Sequence, residues 1–289
     1  MTVDEQLLYE SRVSKRQAAV AVAAGVLLIC SAVVQLAGPH TTVDELTLDL
    51  ITAHKRFPLD LIGAMLNALG FIGVALTLSY LFGISRARNP DMGVWIRILA
   101  LLGGGLAAIS GVVYAAVIAI KANDFVSHGT QTYQQAHALT SGAGFVALPL
   151  LGQFAALLLA IGFVMTSLHA MRVGLLPKFL GYLGIFSGVL VLFPIGSPVP
   201  IVQGFWLFAV GYLISGRWPS GVPPAWRSGK AERWPTAAEM RAERMRPGGG
   251  GGGGGLFRPA PKPAPEPVGA QLPTRTRSST PKRKRKKRR

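Results

Sequence analysis

The feature that most constrains this chain is an apolar stretch from Ala138 to Met171 that contains no Asp, Glu, Lys or Arg. A hydrocarbon core about 30 Å thick is crossed by roughly 20 apolar residues in a helix, because each residue rises about 1.5 Å. The stretch is long enough to cross a bilayer. It therefore predicts a transmembrane helix that follows a polar loop and ends at Arg172.

Further apolar stretches accompany it, and together they predict an all-α integral membrane bundle of six transmembrane helices. The predicted spans cover about 17–37, 59–84, 95–120, 143–170, 179–195 and 199–216. The first stretch exceeds the roughly 7–15 apolar residues of a signal-peptide core, so we expect it to be retained. The charge-free run between Lys178 and Arg217 is too long for one crossing and predicts a tight hairpin.

A short amphipathic helix is predicted over residues 43–56, between the first two spans. Thr42 and Glu45 match a capping box, in which two side chains satisfy each other's unpaired backbone N–H groups. Apolar residues then recur at helical spacing until Pro58. We expect this helix to lie on the outer membrane surface.

Charge divides the chain into two unlike parts and predicts its orientation. The whole chain carries a net charge of +17, and most of the excess lies after residue 216. The short loops on the side of the N-terminus contain more basic residues than the opposite loops do: Arg12, Lys15, Arg16, Arg86, Arg88, Arg97, Arg172 and Lys178 against Lys55, Arg56 and Lys121. The positive-inside rule therefore predicts that both termini, including segment 1–16, lie in the cytoplasm.

The sequence after the last span predicts a strap and a tail. Residues 217–246 combine tryptophans with prolines and predict a juxtamembrane strap followed by a short helix. Residues 247–289 contain a glycine run and many prolines, which predict a disordered tail.

Eight consecutive basic residues end the tail: Lys282, Arg283, Lys284, Arg285, Lys286, Lys287, Arg288 and Arg289. Each basic residue near an anionic leaflet contributes about 1 kcal/mol to binding, so we expect anionic lipid headgroups as the partner. RNA or the ribosome surface is an alternative partner, bound through counterion release. A further alternative is a solvated tail that only reinforces the topology.

Polar residues within the spans are few. No ionised residue lies near the predicted centre of any span, which argues against an ion-coupled transporter. The amides within the spans either form hydrogen bonds between helices or line a path for an uncharged solute: Gln35, Asn67, Gln153 and Gln203. Small residues at four-residue spacing in the third span, Gly103, Ala107, Gly111 and Ala115, predict close helix packing, as do Gly184 and Gly188.

Four histidines fall on the predicted outer face, where carboxylates also occur: His40, His54, His128 and His137. Imidazole and carboxylate groups can bind zinc or copper, or act as an acid and base pair. No two of these histidines have the H-x-x-x-H spacing of a known zinc motif. They are candidate metal ligands, and the sequence assigns no catalytic residue and no cofactor.

The segment after the last span carries two motifs, Gly216-Arg217-Trp218-Pro219 and Pro223-Pro224-Ala225-Trp226. In these motifs the chain resembles a group of uncharacterised multi-pass membrane proteins from high-GC actinobacteria. The resemblance covers most of residues 59–235, implies a polytopic protein of the bacterial cytoplasmic membrane, and brings no assigned activity. The polybasic end is similar in composition to the tails of some bacterial membrane protein insertases, but no arginine lies deep in a span to match their groove.

Three functions are consistent with these features. The first is a non-enzymatic role as a scaffold, sensor or accessory subunit, which the charge-poor spans and the basic tail favour. The second is a channel or carrier for an uncharged or apolar solute, which the intramembrane amides favour. The third is an outward-facing, metal-dependent membrane enzyme that uses the four histidines.

Overall fold

The structure is a computed structural model that describes residues 3–39, 45–193, 200–219 and 221–232. Every regular element in these ranges is an α-helix, which confirms the all-α prediction. The helices are α1 (Val3–Leu36), α2 (Leu46–Arg56), α3 (Leu59–Arg88), α4 (Trp95–Ser127), α5 (Tyr133–Thr140), α6 (Ala143–Arg172), α7 (Lys178–Leu192), α8 (Ile201–Ile214) and α9 (Pro224–Ser228).

Four helices, α1, α3, α4 and α6, are long and apolar enough to cross a membrane. At 1.5 Å per residue they are about 45–51 Å long, which exceeds the thickness of a hydrocarbon core. Helix α1 begins at Val3, well before the predicted span at 17, because its polar first turns pack against other elements of the fold. Each of the first four predicted spans therefore lies within one continuous helix. The one exception is residue 37, the last residue of the first predicted span, which follows the end of α1.

Helices α7 and α8, which correspond to the predicted spans 179–195 and 199–216, are shorter. They contain 15 and 14 residues, which gives lengths of about 22 and 21 Å. Neither helix alone matches a hydrocarbon core of about 30 Å. Residues 194–199, which connect them, lie outside the described residues, and the count of six spans stays a prediction.

The helices pack as a ring in the order α1, α3, α4, α6, α7 and α8, and α8 returns to α1. Helix α3 also contacts α6 across the ring. We call the end with the start of α1 and the ends of α3, α6 and α8 the proximal end, and the opposite end the distal end. Because α7 begins and α8 ends at the proximal end, their helical parts line mainly the proximal half of the ring.

The proximal half is tightly packed, since glycines let the helix backbones approach each other. A Cβ atom added to Gly162 would lie 2.8 Å from the Cα atom of Ala100, so α6 and α4 are in backbone contact. Gly103 meets the backbone of Leu159 in the same interface. Trp206 fills the remaining space, with its ring centroid 4.6 Å from that of Phe163.

The distal end is covered by α2, α5 and the last turns of α4. Leu50 of α2, Phe125 of α4 and Ala136 of α5 are fully buried against one another. The apolar face of α2 thus packs partly on protein, whereas the sequence predicted a helix lying on the membrane surface. Helix α5 forms within the predicted polar loop 121–142, and its N-cap Thr132 accepts a hydrogen bond from the backbone N–H of Gln135.

The predicted capping box is only partly within the described residues, because Thr42 lies outside them. Glu45 precedes α2 as its N-cap residue, and no side-chain capping hydrogen bond forms there. Its carboxylate accepts a hydrogen bond from the hydroxyl of Thr47 at 2.7 Å. The described residues belong to one compact unit, 1–236, and the second unit, 237–289, lies outside the described residues.

Candidate functional site

A cleft lies between α3 and α4 in the distal half of the ring. Its outer part has a volume of about 510 Å³ and is lined by residues of α1, α2, α3 and α4. A smaller cavity of about 220 Å³ on the α6 side shares Asn67, Ala107 and Gly111 with it. We call the two cavities together the distal cleft.

The cleft exists because the facing residues of α3 and α4 are small. Near the proximal end α3 and α4 touch, since a Cβ atom on Gly104 would lie 2.6 Å from the Cβ atom of Ala75. Further along α4, a Cβ atom on Gly111 would meet no atom within 4 Å. The stripe of small residues therefore divides: Gly103 packs against α6, as predicted, while Ala107, Gly111 and Ala115 line open space instead.

The mouth of the cleft carries an ion pair between Arg56 of α2 and Asp60 of α3. The Nε atom of Arg56 lies 2.7 Å from Oδ1 of Asp60, and the arginine side chain is buried. The guanidinium also donates to the carbonyl oxygens of Gln35 at 2.8 Å and Pro39 at 3.3 Å. From the sequence, Arg56 was counted among the basic residues outside the spans, and its pairing with Asp60 was not predicted. The pair could have been predicted from the four-residue spacing of Arg56 and Asp60, which is the spacing at which side chains of opposite charge can meet along a helix.

Asn67 lies where the two cavities meet. It is seven residues after Asp60 on α3, about 10 Å below the mouth at 1.5 Å per residue. Its amide forms no hydrogen bond with any residue that the structure describes. A polar group in apolar surroundings is stabilised by a hydrogen-bonding partner, so this amide is suited to contact a bound molecule.

The other predicted intramembrane amides have different environments. Gln35 also lines the mouth, and its Nε2 atom donates to the hydroxyl of Ser31 at 3.4 Å. Gln203 donates to the carbonyl oxygen of Ser187 at 3.3 Å and so joins α8 to α7. Gln153 is exposed on α6 and is not part of the cleft. The structure thus brings two of the four amides together.

The histidines are spread over the distal end. His54 lies on α2, His137 on α5 has its ring centroid 6.2 Å from that of Tyr133, and His40 lies outside the described residues. His128 follows α4, with Nδ1 3.6 Å from Oδ1 of Asp124. Within the described ranges no three His, Cys, Asp or Glu side chains come together as a metal site.

A second polar cluster, which the sequence did not reveal, lies at the proximal end. Arg88 of α3 pairs with Glu10 of α1 through two contacts of 2.8 and 2.9 Å, and both side chains are buried. The guanidinium also donates to the carbonyl oxygens of Ala225, at 2.8 and 3.0 Å, and Ile84, at 3.1 Å. This set of partners satisfies a charge that would otherwise be costly to bury.

The proximal cluster extends into the segment that the sequence predicted as a strap. The indole N–H of Trp226 donates to the carbonyl oxygen of Leu175 at 3.0 Å. The backbone N–H of Glu232 donates to the carbonyl oxygen of Val173 at 3.3 Å. The described part of the predicted 217–246 strap is therefore tied to α1, α3 and the α6–α7 connection. The short helix predicted before residue 246 and the polybasic end lie outside the described residues.

The fold defines an all-helical protein with four helices that are able to span a membrane. Comparison with protein-family models, curated proteins and solved structures finds no match. The resemblance to actinobacterial membrane proteins stays a prediction.

Proposed function

We propose that this chain is a non-enzymatic sensor or accessory subunit of the cell membrane that binds an uncharged ligand in the distal cleft without transporting it. The observation that carries the proposal is that the cleft ends inside the ring. The smaller cavity reaches Phe71 and Leu159, and the closely packed glycines of α4 and α6 follow directly on the proximal side. This tight packing would have to open before a ligand could continue from the cleft to the proximal end.

Tight proximal packing favours binding over a channel or carrier. Opening a path past Gly162 and Ala100 would separate two backbones that are in direct contact. Protein interiors of this kind resist such separation, because packed atoms lose their contacts when a gap opens. Among the residues that the structure describes, the third hypothesis, a metal-dependent enzyme, has no cluster of donor side chains to support it.

The proposed topology has six spans with both termini in the cytoplasm. Its support is that the start of α1 and residues 221–232 lie at the same end of the ring, where Arg88 joins them. Basic residues at this end, such as Arg172 and Lys178, follow the positive-inside pattern. The proposal for the two short helices, α7 and α8, is that each forms part of one crossing.

The proposed partner of the polybasic end, Lys282–Arg289, is anionic lipid. We expect full-length protein in phosphatidylcholine nanodiscs to capture vesicles that contain phosphatidylglycerol, and a chain truncated after Pro281 to lose this capture. The effect should weaken as salt increases, because it is electrostatic. Capture of RNA in preference to these vesicles would support the alternative partner.

The binding proposal is tested with two measurements on the same purified protein. The protein is placed in neutral nanodiscs, and its unfolding temperature is measured with and without each of a series of uncharged compounds. The series ranges from soluble polyols to membrane-soluble fatty alcohols. We expect at least one compound to raise it in the wild type and in Gly105→Leu, but not in Gly111→Leu, whose side chain fills the cleft. Accumulation of that compound in proteoliposomes would instead establish a carrier.

A further inference from the structure

We infer that the ligand of the distal cleft is an uncharged single-chain amphiphile with a hydroxylated polar end, taken from the surrounding bilayer. Its polar end occupies the outer part of the cleft, and its chain occupies the smaller cavity. This inference rests on the proposed function and names the class of ligand for the same site.

The length of the cleft fits an elongated molecule. Its lining extends along α3 from Asp60 to Phe71 and along α4 from Ile118 to Ala107. Each stretch rises about 16 Å at 1.5 Å per residue. Seven of the eighteen lining residues are Ala or Gly, and five of these seven lie on α3 and α4, where they leave a long slot between the two helices. A single extended chain fits such a slot better than a compact solute of equal volume does.

Polar and apolar groups are separated along the cleft. The mouth has Thr52, the Arg56–Asp60 pair and the side chains of Gln35 and Tyr114. The smaller cavity is lined mainly by apolar residues such as Phe71, Ala156, Leu159 and Val191. An amphiphile satisfies both parts at once, because its head meets hydrogen-bonding groups and its chain leaves water.

The charges at the mouth favour an uncharged head. The guanidinium of Arg56 is already held by the carboxylate of Asp60 and by two backbone carbonyl oxygens. A carboxylate or phosphate head would compete with Asp60 for the guanidinium, and an ammonium head would compete with Arg56 for the carboxylate. A hydroxylated head can instead hydrogen-bond at the mouth without breaking the pair.

Asn67 marks the boundary between head and chain. Its amide, which forms no hydrogen bond with a described residue, lies about 10 Å below the mouth. The N–H group of the amide can donate to an ester or hydroxyl oxygen that joins the head to the chain. The smaller cavity, which would take the chain, begins directly beyond it.

A separate apolar groove lies close to the smaller cavity. An apolar groove of about 290 Å³ lies between α6 and α7 and is lined by Leu157, Ala160, Val189 and Leu192, among others. Ala156 and Val191, which neighbour these residues in sequence, line the smaller cavity. Acyl chains of a bilayer that occupied this groove would therefore lie close to the cleft where α7 ends.

The test is photolabelling of the full-length protein in phosphatidylcholine nanodiscs with a monoacylglycerol that carries a diazirine in its chain. Labelled positions are located by mass spectrometry of peptides. We expect label on cleft residues of α4 and α6 in the wild type and in Gly105→Leu, and none there in Gly111→Leu. The two variants are matched, because both glycines lie on α4 and an added Cβ at either one meets no atom within 4 Å. Equal unfolding temperatures of the two variants serve as the control that both fold.

Asn67→Leu should lower cleft labelling by about two- to tenfold, the effect of one lost hydrogen bond. Gln153→Leu, on the exposed side of α6, should leave it unchanged. Equal labelling of Gly111→Leu and the wild type would overturn the inference, since it would show general lipid contact. Equal or stronger labelling by the corresponding diazirine fatty acid would overturn the assignment of an uncharged head.

The same experiment separates failure of this inference from failure of the proposed function. Absence of cleft labelling together with stabilisation by a soluble polyol would overturn the amphiphile and retain a binding protein. Absence of both labelling and stabilisation by any compound would overturn both.

Discussion

At the scale of single residues, the buried pair of Arg88 and Glu10 is the strongest polar feature of the described chain. Its partners are 78 positions apart, and Ala225 is 137 positions from Arg88. A sequence shows that Arg88 is charged and follows an apolar run, and so predicts a loop cation. Only the tertiary packing of α1, α3 and α9 makes it a buried residue, which is why the pair could not be predicted.

Arg88→Ala should destabilise the protein by about 3–5 kcal/mol, since it leaves the carboxylate of Glu10 buried without its counter-charge. Thermal unfolding in detergent measures the effect as a lower unfolding temperature. Arg86→Ala is the matched control, because Arg86 is an exposed arginine on the same helix and such changes cost at most about 0.5 kcal/mol. Equal effects of the two variants would contradict the role of the pair.

Two intramembrane amides should respond in opposite directions to replacement by leucine. Asn67→Leu should raise the unfolding temperature of the ligand-free protein, because it removes an amide that has no partner among the described residues. Gln203→Leu should lower it by an amount equivalent to about 1 kcal/mol, because the hydrogen bond to Ser187 is lost. A decrease of similar size in both variants would show that Asn67 is structural and not a ligand contact.

At the scale of elements, hydropathy predicted the long helices well but not all of their ends. Apolar composition locates the part of a helix that is in lipid, yet α1 continues into polar sequence at Val3 because tertiary contacts stabilise those turns. Helix α5 was missed because its sequence is polar, and only Ala136 is buried. Helices α7 and α8 are shorter than the apolar runs that contain them. Hydropathy could not predict their ends, because a continuous apolar run does not show where a helix stops.

Glycines of the neighbouring helices α6 and α4 should differ sharply in their tolerance of a methyl group. Gly162→Ala should destabilise by about 1–3 kcal/mol, because the new methyl group overlaps the backbone of Ala100. Gly111→Ala should be neutral or stabilising by up to about 1 kcal/mol, because alanine favours a helix and the added Cβ meets open space. Unfolding temperatures of the two variants test this, and equal losses would show that the distal cleft is not open.

At the scale of the whole molecule, the positions of the four long helices could be predicted, whereas their order around the ring could not, and the count of six spans stays a prediction. The apolar runs determine which segments enter lipid, because ionised groups are excluded from it. Which helices become neighbours depends on small residues whose roles differ within one stripe, as at Gly103 and Gly111. The cleft results from that difference, so its place could not be predicted from the sequence.

The proposed topology predicts the sides on which introduced cysteines react. In a Cys30→Ser background, which removes the only cysteine, an impermeant maleimide should label Gln134→Cys in intact cells and Arg227→Cys only after permeabilisation. Ser197→Cys tests the short helices, since labelling in intact cells is expected if both cross the membrane completely. Labelling of Gln134→Cys and Arg227→Cys from the same side would contradict the alternating arrangement of the long helices.

The contact of Ala225 with Arg88 has a consequence for biogenesis. Ribosomes synthesise Glu10 and Arg88 long before Ala225, so the guanidinium lacks one acceptor until the region after α8 has emerged. A chain that stops before Ala225 would leave the guanidinium with the carboxylate of Glu10 and the carbonyl oxygen of Ile84 as its acceptors. The segment after α8 therefore completes the set of hydrogen-bond partners of a buried charge on α3.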